Sequence, residues 1–244
     1  ELQANFCRVG FQRRLRMPIF DAEFFCPLCD DVMDVYGDHA LICPCGGDRT
    51  KRHNLLRNCC ARTCSISALR PEVEKAGLFA ERMDGEKLDG ETLQDGRRPA
   101  DVFLPHWDLG GMAALGFAVT SGLRNDVLRD SIVSSSSATS AYEEKEKTYL
   151  NTEASLRDLG IKFIPLVVDA HSGRWDPTAR VFWRMLCKHM MVNGGDDEQT
   201  SRFQLMQQLD LILQRENARA ILRRTCSSTA AFEMLSPSIA EAIA

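Results

Sequence analysis

The chain has 244 residues, of which 44% are hydrophobic and 26% are charged, and its net charge at pH 7 is -4. These values predict a globular protein with a sizeable core and exclude a protein that coats nucleic acid through overall positive charge. No apolar run reaches the roughly 18 residues of a membrane span, so no membrane partner is expected.

The amino end, "ELQANFCRVGFQRRLRMPIF", has neither an initiator Met nor the apolar core of a signal peptide. Residues 1–25 are therefore expected to be a linker from a longer protein. The chain has ten cysteines. Because they are unevenly spread and nothing indicates secretion, a reducing compartment with a metal site is favoured over a disulfide framework.

Close-set cysteines mark residues 26–48. Cys26, Cys29, His39 and Cys43 follow the spacing C-x2-C-x9-H-x3-C. Two thiolates two residues apart chelate a tetrahedral ion from a tight turn, and a second ligand pair three or four residues apart completes the coordination. Few apolar residues lie between them, so folding here should depend on the metal. We predict a structural zinc knuckle, with Cys45 as the alternative to Cys43.

A helix with one apolar stripe and a basic flank is predicted over residues 50–69, ending before Pro71. On its flank, Arg52, His53 and Arg57 are candidates for contacts with nucleic-acid phosphates. The alternative for this flank is a solvated helix face. Three cysteines on or near the apolar stripe are expected to pack in the core: Cys59, Cys60 and Cys64.

Strands and helices alternate from there to residue 170. The predicted elements are strands at 77–82, 100–104 and 112–121, a helix at 141–160 and a strand at 161–170. A polar connection at 83–98 separates the first two strands. The order is helix, three strands, helix and strand, which predicts an α/β domain over residues 49–175. Residues 176–244 are expected to be helical, with apolar spacing over 177–192 and 201–224.

Asp101 stands at the start of the second predicted strand, directly after "RRPA". An acid in this place that faces a second acid on the adjacent strand holds Mg²⁺, whose other positions carry water and phosphate oxygens. A nearby lysine orients the attacking water and offsets charge in the transition state. The sequence supplies the first acid and several lysines, but no second acid at the usual place.

Six segments in combination resemble a known family: "CPLC…GDHALIC", "KRHNLLRN", "RPADVFL", "ALGFAVTS", "YEEKEKTY" and "GIKFIPLVVD". They look like the carboxyl-terminal region of non-LTR retroelement polyproteins. There, a Cys-Cys-His-Cys zinc knuckle follows the reverse transcriptase and precedes a restriction-like endonuclease of the PD-(D/E)XK superfamily. The resemblance runs from about residue 20 to about residue 170, and more loosely through "ENARAILRR". It implies an αβββαβ nuclease core with Mg²⁺ or Mn²⁺ as cofactor.

The resemblance also implies roles for individual residues. Asp101 is the acid of the "PD" element, written here as Pro99-Ala100-Asp101 with one residue inserted. Its partner acid falls at Gly116, where relatives carry a carboxylate, and the superfamily lysine falls at Ala118. Glu74 matches the acid that the superfamily often adds to the metal site.

In this branch of the superfamily the lysine has moved to the following helix. Lys145, with Tyr149 one helical turn later, matches that "K-x3-Y" pattern, and Lys147 is the competing lysine. A solvated helix face is the alternative interpretation of this charged stretch. Gly116 indicates that the element has decayed, that its acid has been replaced, or that Asp108 or Glu74 supplies the missing carboxylate.

These roles imply a metal-dependent DNA endonuclease that opens the target for target-primed reverse transcription and is impaired here by Gly116. The expected partners are target DNA, retroelement RNA and the upstream reverse transcriptase of the same polyprotein, in the nucleus. A second hypothesis is a non-catalytic nucleic-acid-binding zinc domain of such a polyprotein. A third, a zinc-stabilised protein-interaction domain, leaves the basic flank unexplained.

Overall fold

The computed structural model describes residues 2–76, 78, 100–124, 126–134, 136–193 and 196–225. Its helices are α1 (Leu2–Arg14), α2 (Asp38–Ile42), α3 (Asp48–Ile66), α4 (Leu128–Val133), α5 (Ser137–Thr148), α6 (Thr152–Asp158), α7 (Pro177–Val192) and α8 (Glu198–Arg223). Its strands are β1 (Phe24–Phe25), β2 (Val32–Met33), β3 (Glu72–Val73), β4 (Val102–Leu104), β5 (Met112–Thr120) and β6 (Ile161–Asp169). None of the helices described is long and apolar enough to cross a lipid bilayer.

The chain divides into two compact units. The knuckle unit comprises Glu1–Leu55, Ala170–Gly173 and Gln208–Ala244, and the sheet unit comprises Leu56–Asp169 and Arg174–Gln207. In this division α7, which packs its aromatic side chains on the sheet, belongs to the sheet unit. The predicted domain boundaries stay a prediction. Of the predicted C-terminal helical region, residues 226–244 lie outside the described part.

A four-stranded mixed sheet in the order β3-β4-β5-β6 lies at the centre of the sheet unit. β4 is antiparallel to both β3 and β5, whereas β5 and β6 are parallel from Met112↔Ile161 to Thr120↔Asp169. The predicted α/β class is confirmed. In the described part of the chain, the first strand of this sheet is Glu72–Val73. Most of the strand predicted at 77–82 and the whole 83–98 connection fall outside the described residues.

Side chains pack on both faces of this sheet. On one face, called the α7 face, the Phe117 ring of β5 lies 6.5 Å from the Trp175 ring and 6.4 Å from the Trp183 ring of α7. On the opposite face, called the α6 face, one buried cluster contains Ala100, Phe103, Ala114, Leu156, Ile161 and Phe163. Coverage of both faces explains why β5 and β6 are apolar almost without interruption.

Two helical segments differ from the sequence prediction. The predicted helix over 141–160 is two helices, α5 and α6, separated by a 3₁₀ turn in which Asn151 has a φ of 54°. Asn tolerates this left-handed conformation better than most residues, so the helix can end there. Residues 2–14 form α1 where a linker was predicted. Val9 is fully buried in this helix, whereas Phe11 is 68% exposed.

Asp176 caps α7 from a fully buried position. One carboxylate oxygen accepts the Ala179 amide at 2.8 Å, and the other accepts the Val167 amide of β6 at 2.7 Å. Burial raises the pKa of Asp176 to about 6, and the nearby Glu143 carboxyl acts in the same direction. Asp176 therefore ties the start of α7 to β6, the strand at one edge of the sheet.

We expect Asp176→Ala to lower the free energy of unfolding by roughly 3 kcal/mol, because it removes a helix cap and leaves two buried amides without acceptors. Urea denaturation measures this loss. The matched control is Asp197→Ala, since Asp197 is exposed and accepts the Gln199 and Thr200 amides at the start of α8. Its loss should be clearly smaller, because water can accept the amide hydrogen bonds that the exposed Asp197 releases. Equal losses in the two variants would contradict the claim that burial makes the Asp176 cap more stabilising than the exposed Asp197 cap.

Candidate functional site

The knuckle unit gathers the predicted ligand set. The ligand atoms of Cys26, Cys29, His39 and Cys43 all lie within 4.8 Å of one another. The Cys29 Sγ lies 3.1 Å from His39 Nε2 and 3.5 Å from Cys43 Sγ. Zinc bonds of about 2.3 Å to sulfur and about 2.0 Å to nitrogen require ligand atoms at such separations. The four residues are thus able to hold a metal such as zinc, and Cys43 rather than Cys45 completes the group.

Short local elements position these ligands. β1 and β2 form an antiparallel hairpin with Phe24 opposite Met33, and its connection carries Cys26 and Cys29. His39 lies in α2, and Cys43 directly follows this helix. The Asp34 carboxylate accepts the amides of Tyr36, Asp38 and His39 at 2.9, 3.1 and 2.9 Å, which fixes the start of α2. Although burial opposes it, these hydrogen bonds lower the pKa of Asp34.

Two thiols of the cluster, Cys29 and Cys43, have pKa values shifted in opposite directions. Burial opposes ionisation of Cys43, but a hydrogen bond from Arg224 and further donors lower its pKa to about 6. At Cys29 a hydrogen bond from the Asp31 backbone acts in the lowering direction, yet desolvation and the neighbouring thiols Cys43 and Cys26 raise its pKa to about 12. A bound cation would displace the shared protons, since metal ligands must be deprotonated.

Arg224 places a buried positive charge beside this cluster. The residue is 3% exposed, and its Nη1 donates to Asp48 Oδ2 at 2.9 Å. A hydrogen bond to the Cys43 side chain contributes to raising the pKa of Arg224 against the effect of its burial. Three thiolates exceed the charge of one divalent ion by one unit, so the guanidinium offsets the excess negative charge of a loaded site.

We expect Arg224→Gln to weaken zinc binding by roughly 10- to 100-fold, the usual effect of losing a partner of a metal ligand. Competition with a chromophoric chelator measures the affinity. The control is Arg219→Gln, which removes a buried guanidinium bound to Asp48 at 2.8 Å and to Glu216 at 2.6 Å. Its zinc affinity should stay close to that of the parent chain. The same loss in both variants would reduce Arg224 to a structural role.

The sheet unit aligns the predicted acid positions in one row. The last register pairs are Val73 with Val102 and Val102 with Leu115, so Glu74, Asp101 and Gly116 each lie one residue beyond a paired residue. The Glu74 amide donates to the Asp101 carbonyl at 3.0 Å, and the Asp101 amide donates to the Leu115 carbonyl at 2.8 Å. These hydrogen bonds hold the backbones of Glu74 and Asp101 side by side and place Asp101 beside the segment of β5 that contains Gly116. We call Glu74, Asp101 and position 116 the acid row.

The two carboxylates of the acid row are held differently. The Asp101 Oδ2 accepts the Phe117 amide at 2.6 Å, which directs the half-buried carboxylate toward β5. Glu74 has a φ of 49°, so its backbone leaves the strand conformation. Its carboxylate forms an ion pair with Arg57. Arg57 is 8% exposed. The prediction that Arg57 contacts phosphates is therefore corrected: its guanidinium lies against Glu74.

An aromatic ring covers position 116. A Cβ built at Gly116 would lie 3.1 Å from Cζ and 3.2 Å from Cε2 of Phe163. These separations are shorter than ordinary van der Waals contact, so a larger residue requires the ring to move. Glycine is otherwise disfavoured inside a strand. Packing against Phe163 therefore gives a structural reason for glycine at the place where the sequence lacks its second acid.

The other sequence-predicted nuclease residues lie outside this row. Lys145 is exposed on α5, with its Nζ 5.4 Å from the Tyr142 ring centroid. Lys147, the competing lysine, forms an ion pair with Glu143 at 2.7 Å. Tyr149 is 62% exposed in the turn after α5. Lys147 is thus paired with Glu143 rather than with the acid row. The catalytic role of Lys145 with Tyr149 stays a prediction.

Asp108 is a poor substitute for the missing acid. It opens the 3₁₀ turn Asp108–Gly110 beyond the far end of β4, whereas Asp101 directly precedes that strand. The three residues of β4 alone separate the two ends by about 10 Å in extended conformation. Glu74 is therefore the only one of the two proposed alternatives that the sheet brings next to Asp101.

The predicted basic flank of α3 is only partly exposed. Arg52 is 6% exposed, and its guanidinium donates to Asn217 Oδ1 at 2.7 Å and to the Leu41 carbonyl at 3.2 Å. Burial lowers the pKa of Arg52 to about 10. The prediction that Arg52 contacts phosphates is corrected, while His53 is half-buried. The exposed cations of α3 are Arg49, Lys51 and Arg62.

No protein-family model matches the chain, and no curated protein is significantly similar to it. Two residues that shape the candidate sites, Arg224 and Phe163, gave no signal in the sequence. Arg224 lies far along the chain from the cysteines, and Phe163 is one of several apolar residues in β6, so the sequence pattern does not single it out. Only a tertiary structure brings either residue to its site.

Proposed function

We propose that this chain is the restriction-like endonuclease region of a non-LTR retroelement polyprotein, with a PD-(D/E)XK core and a zinc knuckle. Its present sequence cuts DNA poorly because position 116 lacks an acid. The observation that carries the proposal is the acid row. In it the Glu74 amide donates to the Asp101 carbonyl, and Asp101 is hydrogen-bonded to Leu115 and Phe117 on either side of Gly116. The predicted knuckle ligands, grouped in the same chain, support it.

In this proposal Asp101 and Glu74 are the residues that would hold Mg²⁺ or Mn²⁺, which supplies Lewis-acid stabilisation to phosphodiester hydrolysis when bound. Asp101 suits this role because the Phe117 amide already orients its carboxylate. Glu74 would bind the metal only after its ion pair with Arg57 is broken. Lys145 orients the attacking water and offsets developing negative charge, with Tyr149 beside it.

The proposed partners follow from this activity. Target DNA is the substrate, retroelement RNA and the upstream reverse transcriptase are the other partners, and the nucleus is the location. The knuckle unit and the exposed cations of α3 contribute to DNA binding through phosphates. Arg49, Lys51 and Arg62 take the place that the sequence had given to Arg52 and Arg57.

A plasmid-nicking assay in Mn²⁺ tests the proposal. The chain should nick supercoiled DNA slowly, and Asp101→Ala should lower the rate at least about tenfold by removing the best-placed ligand. Identical rates in both proteins would overturn the nuclease assignment. They would favour the second candidate, a non-catalytic nucleic-acid-binding domain, which the packing of Phe163 over position 116 specifically supports.

A further inference from the structure

α7 carries a row of exposed cations that the proposed nuclease does not use. Arg180, Arg184 and Lys188 are each exposed and follow one another at intervals of four residues. Residues at this interval lie on one side of a helix. The 16-residue helix contains no Asp or Glu. In a chain with a net charge of -4, this acid-free surface is a local exception. We call these three residues the α7 cation row.

The α7 cation row has no role in holding the fold together. The helix packs on the sheet through a different side, whose buried residues are Ala179, Phe182, Trp183, Leu186 and Cys187. In the part of the chain that the structure describes, none of the three cationic side chains forms an ion pair or a side-chain hydrogen bond. Their charges are therefore available to a partner.

Charges on the neighbouring segment leave the row positive. Asp196, Asp197 and Glu198 come after α7, beyond its carboxyl end. Asp197 is already engaged with the amides that begin α8. Near Cys187, Glu198 and Arg202 of α8 supply one charge of each sign: Glu198 raises the pKa of Cys187 and Arg202 lowers it. The middle of α7, from Arg180 to Lys188, keeps its net charge of three.

We propose that the α7 cation row binds the sugar-phosphate backbone of duplex DNA. At a rise of about 1.5 Å per residue the three cations stand about 6 Å apart along a row of about 12 Å. Duplex DNA carries a phosphate about every 3.4 Å of axis on each strand, so each cation can meet a different phosphate. The choice of DNA as the partner rests on the proposed function. The exposure and spacing of the three cations do not depend on it.

The packing of α7 favours DNA over an anionic membrane. A membrane-surface helix needs an exposed apolar face, and the apolar face of α7 is buried against the sheet. Phe117, Trp175 and Trp183 place α7 on the sheet face opposite to that of position 116 and Phe163. The row is therefore a second DNA contact surface, separate from the acid row.

Salt-dependent DNA binding tests this surface. The full chain is compared with Arg180→Gln/Arg184→Gln/Lys188→Gln by fluorescence anisotropy on a labelled duplex, over a series of KCl concentrations without divalent metal. The dependence of log affinity on log salt should become shallower by about 3, since each lost phosphate contact contributes about 0.9. The matched control, Arg129→Gln/Arg157→Gln/Lys162→Gln, removes the same charges from exposed positions of the same unit. Its slope should stay at the parental value.

Equal slopes in the two triple variants would overturn the proposal, as would a parent chain that binds phosphatidylserine vesicles through the row but not DNA. Circular dichroism of both variants verifies that they are folded. Because no divalent metal is present, the result does not depend on cutting. If only the proposal for the α7 cation row is wrong, the two slopes are equal and nicking still depends on Asp101. If only the nuclease proposal is wrong, nicking does not depend on Asp101 but the two triple variants still differ in salt slope.

Discussion

Gly116→Asp combined with Phe163→Leu is expected to raise Mn²⁺-dependent DNA nicking by at least about a hundredfold, the usual scale for one charge-stabilising group at a reaction centre. The new carboxylate would lie beside Asp101, which is hydrogen-bonded to Leu115 and Phe117 on either side of position 116. The smaller leucine removes the ring atoms that lie 3.1 and 3.2 Å from a Cβ at position 116. Gly116→Asp alone should gain less, because crowding in a packed core costs about 1–3 kcal/mol.

Two controls separate chemistry from packing in this experiment. Gly116→Asn with Phe163→Leu introduces a side chain of the same size without the negative charge, and its nicking rate should stay at the parental level. Adding Asp101→Ala to the active double variant should abolish the gain. If the Asn and Asp variants nick equally fast, position 116 is not a metal-binding position.

Removal of the knuckle metal is expected to unfold residues 24–43. Cys26 is fully buried, and the region's other elements are two-residue strands and a five-residue helix. Apparent binding free energies of structural zinc in small domains are about 10–16 kcal/mol at neutral pH, so ligand loss removes most of the local stability. Cys26→Ser should lose zinc and amide-exchange protection over this region.

Cys45→Ser is the matched control, because Cys45 lies outside the ligand group. It should keep one zinc per chain and parental exchange protection. Full zinc occupancy in Cys26→Ser, or loss of zinc in Cys45→Ser, would contradict the assigned ligand set. The measurements are metal content by atomic absorption and hydrogen exchange followed by mass spectrometry.

Features set by local spacing could be predicted from the sequence. The grouping of Cys26, Cys29, His39 and Cys43 follows from two short ligand pairs, and β5 and β6 follow from their apolar runs. The proximity of Asp101 to the β5 segment around Gly116 required only the correct order of neighbouring strands. These are properties of residues close together in the chain or of adjacent strands.

Features set by distant partners could not be predicted. Helical periodicity marked Arg52 as basic but not as buried, because its partner Asn217 lies on α8. The sequence showed a glycine at position 116, but the cover provided by Phe163 depends on how β6 and β5 pair. The ion pair of Arg57 with Glu74 likewise depends on where α3 meets β3.

The central claim is that the acid row is a divalent-metal site that lacks one ligand. Electron paramagnetic resonance of Mn²⁺ titrated into Gly116→Asp/Phe163→Leu tests it most directly, with the same variant carrying Asp101→Ala as the reference. The claim predicts a bound Mn²⁺ signal in the double variant that disappears with Asp101. Equal Mn²⁺ binding with and without Asp101 would contradict it.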